Sequence, residues 1–300
     1  MKDLLYICNP IAGRGLGKSR LSEVISYYNK AGIMPRVFMT GPDRALSQAL
    51  SGLSDDSLLV CAGGDGMLNI MLNELCSLGK DIPLGYIPFG TTNDFARSMG
   101  LPKKLSELVA ASISDKILRM DTGELNGRRF IYVAGFGNFT DISYKTPAFS
   151  KNLLGYLAYI LEGARSLADI KPFHVSIETE GEKLEGDYVL GLISNSRSVA
   201  GMKPPVSSET RLDDGLMELT LIRMPDSLKE LRGLLESYIT PDHRSELMEF
   251  RQGKSFDLTS EKLCWTLDGE FGGCYDRTHI SVVPGSFSIK VPEGKADQKI

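Results

Sequence analysis

Long apolar runs are missing from this sequence. None approaches the roughly 18 consecutive apolar residues that a membrane-spanning helix needs, so we expect any contact with a membrane to be peripheral. An apolar run begins at residue 4, which predicts a first strand over residues 4–8 and is too short for a signal peptide.

Cysteine and histidine are scarce and widely spaced. The five cysteines include no CxxC pair, and the three histidines (His174, His243 and His279) stand far apart. Zinc sites use closely spaced pairs of these residues, so no zinc site is predicted. Because the cysteines fall mostly in apolar runs, we expect buried, reduced thiols of a cytosolic protein, without disulfides.

An excess of basic charge is absent as well. The chain has 34 Lys and Arg residues against 38 Asp and Glu, for a net charge of −4. Proteins that bind nucleic acid usually carry a basic surface, so nucleic acid is not a predicted partner. The length of 300 residues, with 42% hydrophobic residues, favours two packed domains.

The first 122 residues alternate short apolar runs with segments of helical spacing. Apolar runs predict strands at residues 4–8, 36–39, 58–63 and 84–87. This alternation predicts a parallel sheet with helices on both faces, a fold that binds ligands at the carboxyl ends of its strands.

From residue 123 the pattern changes to β-like runs separated by Gly and Asp turns. It predicts a mostly antiparallel β domain over residues 123–292, interrupted by helices at 152–167 and 227–238. The fold class is therefore α/β plus all-β, with an α/β domain over residues 1–122 and a polar tail over residues 293–300.

The stretch over residues 58–66 is the most informative. An apolar strand ends in Gly63, Gly64, Asp65 and Gly66, and helical spacing follows. Glycines let the backbone approach a bulky anion, and the first N–H groups of a helix favour phosphate. Asp65 is repulsive to phosphate unless it holds a cation or accepts a hydroxyl, so the turn suggests metal-assisted nucleotide chemistry. A plain turn remains the alternative.

Two more strand ends carry loops of interest. Residues 9–19 are rich in glycine, but a Walker A loop would need glycine at position 12, where Ala12 stands. Residues 89–97 place Thr91, Asn93 and Asp94 at a helix start. An ordinary N-cap cluster explains this second loop equally well.

Five motifs occur in order: Asn9-Pro10 with Ala12-Gly13, the glycine-rich turn at 63–66, residues 90–95, residues 213–215, and residues 267–270. Together they resemble the diacylglycerol kinase catalytic-domain family, and most closely its soluble bacterial lipid kinases, over about residues 3–292. The resemblance implies an α/β nucleotide-binding domain, a β-sandwich-like domain and an interdomain cleft. ATP would bind in that cleft and give its γ-phosphoryl group to a lipid hydroxyl.

The resemblance also implies the residues of the nucleotide site. Asp65 and Asp94 would organise Mg²⁺·ATP, and Asp65 counts among the catalytic residues. The residues expected to bind the nucleotide are Asn9, Pro10, Ile11, Ala12, Gly13, Thr40, Gly63, Gly64, Asp65, Gly66, Met67, Leu68, Asn69, Ile70, Thr91, Asn93 and Asp94.

The carboxylates Asp268 and Glu270 flank Gly269 between two β-like runs. One would deprotonate the lipid hydroxyl while the other holds metal or orients the base. The resemblance favours Glu270 as the base, with Asp268 as second choice. An Asp-Gly hairpin turn with a solvated Glu is the alternative.

A structural magnesium site is implied at residues 211–216. Asp214 would supply a carboxylate, and the backbone carbonyls of Arg211 and Leu216 would complete the protein ligands. Asp213 would act through water. The alternative is a simple Asp-Gly turn before the next strand.

Two residues depart from the family pattern. Met67 stands where the family usually has a hydroxyl residue, and Ile70 where it often has Glu. We expect weaker nucleotide binding, with the backbone N–H of Met67 still in place.

The sequence leaves three hypotheses for the function. The protein is an ATP- and Mg²⁺-dependent lipid kinase, a kinase that resembles NAD kinases and acts on a soluble substrate, or a nucleotide-binding regulator without turnover. The leading hypothesis implies a lipid substrate such as diacylglycerol at a membrane surface. It also implies a cytoplasmic protein that contacts the membrane peripherally during turnover. A homodimer is left open.

Overall fold

The computed structural model describes residues 3–41, 45–54, 56–91, 93–137, 171–195, 211–239 and 245–293. The chain divides into two compact units, Met1–Met120 with Pro284–Ile300, and Asp121–Val283. The predicted α/β plus all-β fold class is confirmed.

The first unit has a parallel sheet in the order β2–β1–β3–β4. All residues of β1 and β3 are buried, as expected for apolar strands covered on both faces. Its strands are β1 (Leu4–Cys8), β2 (Pro35–Met39), β3 (Leu58–Gly63) and β4 (Leu84–Pro88). Its helices are α1 (Ala12–Ser19), α2 (Leu21–Lys30), α3 (Leu46–Ser51), α4 (Asp65–Ser77), α5 (Asp94–Ser98) and α6 (Leu105–Ser112).

The second unit is built mainly from antiparallel strands in the order β11–β10–β9–β7–β12–β13; β8 pairs with β9 and β12, and β5 pairs with β6 and β13. The buried Trp265 packs edge to face on Phe136 at 5.1 Å, at the centre of its core. The strands are β5 (Ile117–Leu125), β6 (Arg128–Phe130), β7 (Val133–Gly137), β8 (Phe173–Thr179), β9 (Glu182–Ser194), β10 (Met217–Arg223), β11 (Met248–Gly253), β12 (Ser255–Leu267) and β13 (Glu270–Lys290). Helix α7 spans Leu228–Ile239, close to the predicted range, whereas the predicted helix at 152–167 lies outside the described residues.

Three hairpins of this unit share one kind of turn. The two central residues have positive φ in each case: Asn126 and Gly127, Glu180 and Gly181, and Asp268 and Gly269. Positive φ at both positions is the mark of the type I′ turn, whose twist matches that of the flanking strands.

The final part of the chain belongs to the first unit. Ile289, in β13, pairs in parallel with Leu84, and the N–H of Val291 donates to the carbonyl of Lys116 at 3.0 Å. This division differs from the domain ranges predicted from the sequence, which placed residues 284–292 in the β domain.

The expectation of reduced cysteines is wrong for one pair. Cys264 of β12 and Cys274 of β13 face each other across the hairpin and form a disulfide. Cys8 and Cys61 are buried thiols as expected, whereas Cys76 is exposed.

Candidate active site

The loops that follow the four parallel strands lie side by side at the carboxyl edge of the sheet. The N–H of Asn9 donates to the carbonyl of Ala62 at 3.0 Å, and that of Thr40 donates to the carbonyl of Cys8 at 2.9 Å. The N–H of Phe89 donates to the carbonyl of Gly63 at 2.8 Å. Motifs that are distant in the sequence are therefore neighbours in the first unit.

Glycines allow these loops to approach closely. A Cβ on Gly90 would lie 2.5 Å from the Cα of Gly64, and one on Gly13 would lie 2.0 Å from the carbonyl oxygen of Phe89. Neither contact can be relieved by moving a flexible side chain, because both involve backbone atoms. Side chains are thereby excluded where the three loops meet.

The start of α1 is not regular helix. Gly13, Arg14 and Gly15 have φ of 57°, 61° and 91°, in the left-handed region. Upstream, the side-chain Oδ1 of Asn9 accepts the N–H of Ile11 at 3.1 Å, which fixes the turn after β1. The glycines leave the backbone without side chains on either side of Arg14, while Ile11 and Arg14 are exposed.

Asp65 joins two of the motifs. It is the first residue of α4, and its Oδ1 accepts the N–H of Phe95 in α5 at 3.3 Å. The buried Tyr86 donates its hydroxyl hydrogen to the carbonyl of Gly63 at 3.3 Å. Burial and, to a smaller extent, the negative charge of Asp65 raise the pKa of Tyr86. The phenol therefore stays protonated and keeps its hydrogen bond to Gly63.

The loop after β4 is held by Asn93. Its φ of 52° is left-handed, and its Nδ2 donates to the carbonyl of Gly90 at 2.9 Å. Thr91 is exposed beside it, and Asp94 begins α5. Asn93 thus acts as a backbone clamp in this loop.

Four predicted nucleotide residues, Met67 to Ile70, lie along α4. The side chains of Met67, Leu68 and Asn69 are buried, and only Ile70 is half exposed. The N–H of Met67 donates to the carbonyl of Gly64 at 3.0 Å. That N–H, which the sequence analysis expected to serve phosphate, is therefore already engaged within the turn.

In the second unit, Asp268 and Glu270 have different surroundings. Asp268 is 4% exposed. Its Oδ2 accepts the N–H of Ile131 at 2.7 Å, and its Oδ1 accepts those of Tyr132 and Val133 at 3.0 and 3.1 Å. Glu270 is exposed at the first position of β13. Asp268 and Gly269 thus form the turn of the β12–β13 hairpin. The carboxylate of Asp268 joins this turn to the backbone of residues 131–133, where β7 begins.

A carboxylate from β5, Asp121, contacts the loop over residues 211–216 and was not predicted from the sequence. Asp121 is buried, and its Oδ2 accepts the N–H of Gly215 at 2.6 Å. Asp214 Oδ1 accepts the N–H of Leu216 at 3.0 Å. Desolvation first, and the charge of Asp121 as well, raise the pKa of Asp214. No strand was predicted over residues 117–125, so no local signal marked Asp121 as a buried carboxylate.

The oxygen donors of this loop suit a hard cation such as Mg²⁺. Two carboxylates converge on one turn, and Arg211 is engaged by Asp213 through its side chain at 3.0 Å, which leaves its carbonyl to the loop. Within the described residues no group of three His, Cys, Asp or Glu side chains could hold a metal. An ion here would need carbonyl and water ligands in addition.

Comparisons with known proteins decide the family. The model for the diacylglycerol kinase catalytic domain matches residues 3–125, and that for the YegS C-terminal NAD kinase beta sandwich-like domain matches residues 144–291. The diacylglycerol kinase of Bacillus subtilis (strain 168) is 31% identical over 99% of each chain. The chain belongs to the diacylglycerol kinase catalytic-domain family.

Other members of the diacylglycerol kinase family agree with this assignment. The diacylglycerol kinase of Staphylococcus carnosus (strain TM300) is 32% identical over 91% of this chain and 90% of the relative. A crystal structure of a diacylglycerol kinase from Bacillus anthracis str. Sterne is similar in fold, with a TM-score of 0.71, 19% identity and 97% coverage of each chain. As a member of this family the protein is a kinase.

In the part of the chain that the structure describes, no helix is long and apolar enough to span a membrane. The first unit brings together Asn9 to Gly13, Thr40, Gly63 to Asp65 and the loop of Asn93. It turns Met67, Leu68 and Asn69 inward. In the second unit Asp268 is buried and accepts backbone N–H groups, whereas Glu270 is exposed.

Proposed function

We propose that the protein is an ATP- and Mg²⁺-dependent lipid kinase. It transfers the γ-phosphoryl group of ATP to the hydroxyl of diacylglycerol or a related lipid, releasing ADP, the lipid phosphate and a proton. The observation that carries the proposal is the contact of the glycine-rich turn with the loop after β4 through Asp65 and Phe95, in a chain of this family.

The first unit supplies the phosphate site. The N-terminus of α4, with the positive end of the helix dipole, favours phosphate charge. Glycines at 64 and 90 keep side chains away from that turn. The side chain of Asp65 serves the metal–nucleotide complex and ties the two loops together.

The second unit supplies the base. A lipid hydroxyl must lose its proton as the new P–O bond forms, and a carboxylate can accept it. Glu270 is exposed and able to do so, whereas Asp268 has both oxygens engaged by backbone N–H groups. Asp268 therefore positions the hairpin, and Glu270 is the proton acceptor.

Magnesium is assigned two roles. Bound with ATP, the ion neutralises phosphate charge during transfer. At the loop of residues 211–216, Asp214 and the carbonyls of Arg211 and Leu216 would hold a structural ion, with Asp121 close by. The oxygen-only donor set fits that assignment.

The lipid acceptor places the protein at a membrane surface during turnover. A cytoplasmic location with peripheral contact accompanies the proposal, because the acceptor and ATP must meet at the same site.

The test supplies radiolabelled ATP, Mg²⁺ and one acceptor at a time: vesicles containing diacylglycerol, a sphingoid base or phosphatidylglycerol, or NAD in solution. Label in the organic phase is expected. Label in NAD would favour the soluble-substrate kinase, and no label in any acceptor would favour the regulator.

The variant Asp65→Asn tests the role of the Asp65 charge, because it nearly keeps the shape of the side chain. Its amide oxygen can still accept the N–H of Phe95, so the fold should survive while the charge is lost. Most turnover should disappear. Activity near that of the wild type in a folded Asp65→Asn protein would remove the central assumption.

A further inference from the structure

Cys264 and Cys274 come into register because of a β-bulge. Leu267 pairs with Glu270 and Thr266 with Phe271, but Trp265 pairs with Gly273. The extra residue on β13 is Gly272. If Gly272 paired regularly with Trp265, Cys264 would face Gly273; because Gly272 is bulged out, Cys264 faces Cys274.

The bulge is itself tightly constrained. A Cβ on Gly272 would lie 2.8 Å from Leu267 Cγ, and the hydroxyl of Tyr275 donates to the carbonyl of Gly272 at 3.2 Å. Bulges re-aim the side chains beside them. The disulfide therefore closes the hairpin on one side of this bulge, and Glu270 stands on the other side.

The pair is also within reach of solutes. Cys264 and Cys274 are partly exposed, in contrast to the buried Cys8 and Cys61. Thiol–disulfide exchange needs access of an attacking thiolate to a sulfur atom. A small thiol can reach this bond without unfolding of the unit.

We infer that Cys264 and Cys274 form a reversible thiol–disulfide switch that sets the order of the hairpin carrying Glu270. The partner is a low-molecular-weight disulfide such as glutathione disulfide. One cysteine thiolate attacks it and releases one small thiol. The second cysteine then displaces the other small thiol and closes the S–S bond. Two protein thiols are oxidised, one small disulfide is reduced to two thiols, and the cysteine protons pass to the released thiolates.

The test compares the full chain after reduction by excess dithiothreitol and after oxidation by excess glutathione disulfide, each removed before measurement. Titration in denaturant should find five thiols in the reduced protein and three in the oxidised one. Peptide mass spectrometry should place the bond at residues 264 and 274. Amide hydrogens of residues 265–273 should exchange about 10-fold faster after reduction, because the cross-link no longer limits local opening.

Two variants serve as controls. Cys264→Ser should remove the difference in exchange between the two treatments. Cys76→Ser, which alters an exposed cysteine outside the disulfide, should keep it. Five thiols after oxidation, three after reduction, or equal exchange in both states would overturn the switch.

The effect on catalysis rests on the proposed function. Reduction should lower kcat by about 3- to 10-fold with an unchanged KM for ATP, since mispositioning affects the step that uses the base. An unchanged kcat beside changed exchange would overturn control of the base. Absence of kinase activity in both states would refute the proposed function, while thiol counts and exchange still decide the switch.

Discussion

The carboxylate of Asp268 accepts the backbone N–H of Ile131 at 2.7 Å, across 137 positions of sequence. This bond and the two at Tyr132 and Val133 occupy both carboxylate oxygens. The residue two positions later, Glu270, is exposed. The two carboxylates therefore differ in their surroundings, and we expect substitution of Glu270 to lower activity and substitution of Asp268 to lower stability.

Glu270→Gln should reduce kcat while leaving the fold intact. The change keeps the size of the side chain and removes the proton acceptor, so the loss should be about 10²–10⁴-fold. Nucleotide affinity should barely change, because the phosphate turn lies in the other unit. Steady-state kinetics with nucleotide binding by calorimetry would check this, and full kcat in the variant would dismiss Glu270 as the base.

Asp268→Asn should destabilise the second unit. The amide NH₂ would face backbone N–H groups and leave at least one of them without an acceptor, at a cost of about 1–3 kcal/mol. Chemical denaturation would measure it, with Glu270→Gln as the control that should not shift the midpoint. An Asp268→Asn protein with wild-type stability and no activity would return a catalytic role to Asp268.

Gly90→Ala should separate the loops of the nucleotide site. Its Cβ would lie 2.5 Å from Gly64 Cα, and such overpacking usually costs about 1–3 kcal/mol. Gly52→Ala is the matched control, because nothing lies within 4 Å of its Cβ. The unfolding temperature and the affinity for ATP should both fall in Gly90→Ala and stay unchanged in Gly52→Ala. Unchanged ATP affinity in Gly90→Ala would contradict the close approach of these loops.

Mg²⁺ should stabilise the wild type more than an equal ionic strength of K⁺. An ion that binds only the folded state adds about 2.7 kcal/mol at 100 times its Kd. Asp214→Ala should unfold at a lower temperature and lose this dependence on Mg²⁺. The measurement is thermal unfolding with chelator and with graded Mg²⁺, and a wild type indifferent to both would argue against a structural site.

His174 should titrate above its ordinary pKa. Its Nδ1 lies 2.8 Å from Asp187 Oδ1, and this hydrogen bond, supported by the charge of Glu185, raises the pKa of the imidazole. Because the folded pKa is the higher one, the stabilising effect is present below about pH 6.5 and is lost as pH rises through the folded value. Proton NMR should give a pKa above about 6.5 that falls in Asp187→Asn. Equal values in both proteins would refute the pairing.

Local pattern was enough for much of the fold. The four parallel strands of the first unit follow from apolar runs, and the turn at residues 63–66 was recognisable because glycines and a carboxylate interrupt a strand. Parallel strands end on one edge, so the meeting of their loops followed from topology.

Other features depend on long-range partners that local pattern does not encode. A β-like run at 284–291 has the same alternation whichever sheet it joins. The disulfide depends on a one-residue bulge at Gly272, which shifts the register without changing the hydrophobic pattern. The roles of Asp121 and Asp268 depend on backbone N–H groups more than 90 residues away.

The return of residues 284–291 to the first unit bears on how the protein is made. Strand β4 has β3 on one side, and its other neighbour is the end of β13, which is synthesised only after residues 121–283. Translation proceeds at about 5–20 residues per second, so the synthesis of residues 121–283 takes on the order of ten seconds. During that interval the backbone edge of β4 is open to other nascent chains. Engagement of a chaperone at β4, or early docking of helix α6 beside it, would protect the half-made protein from aggregation.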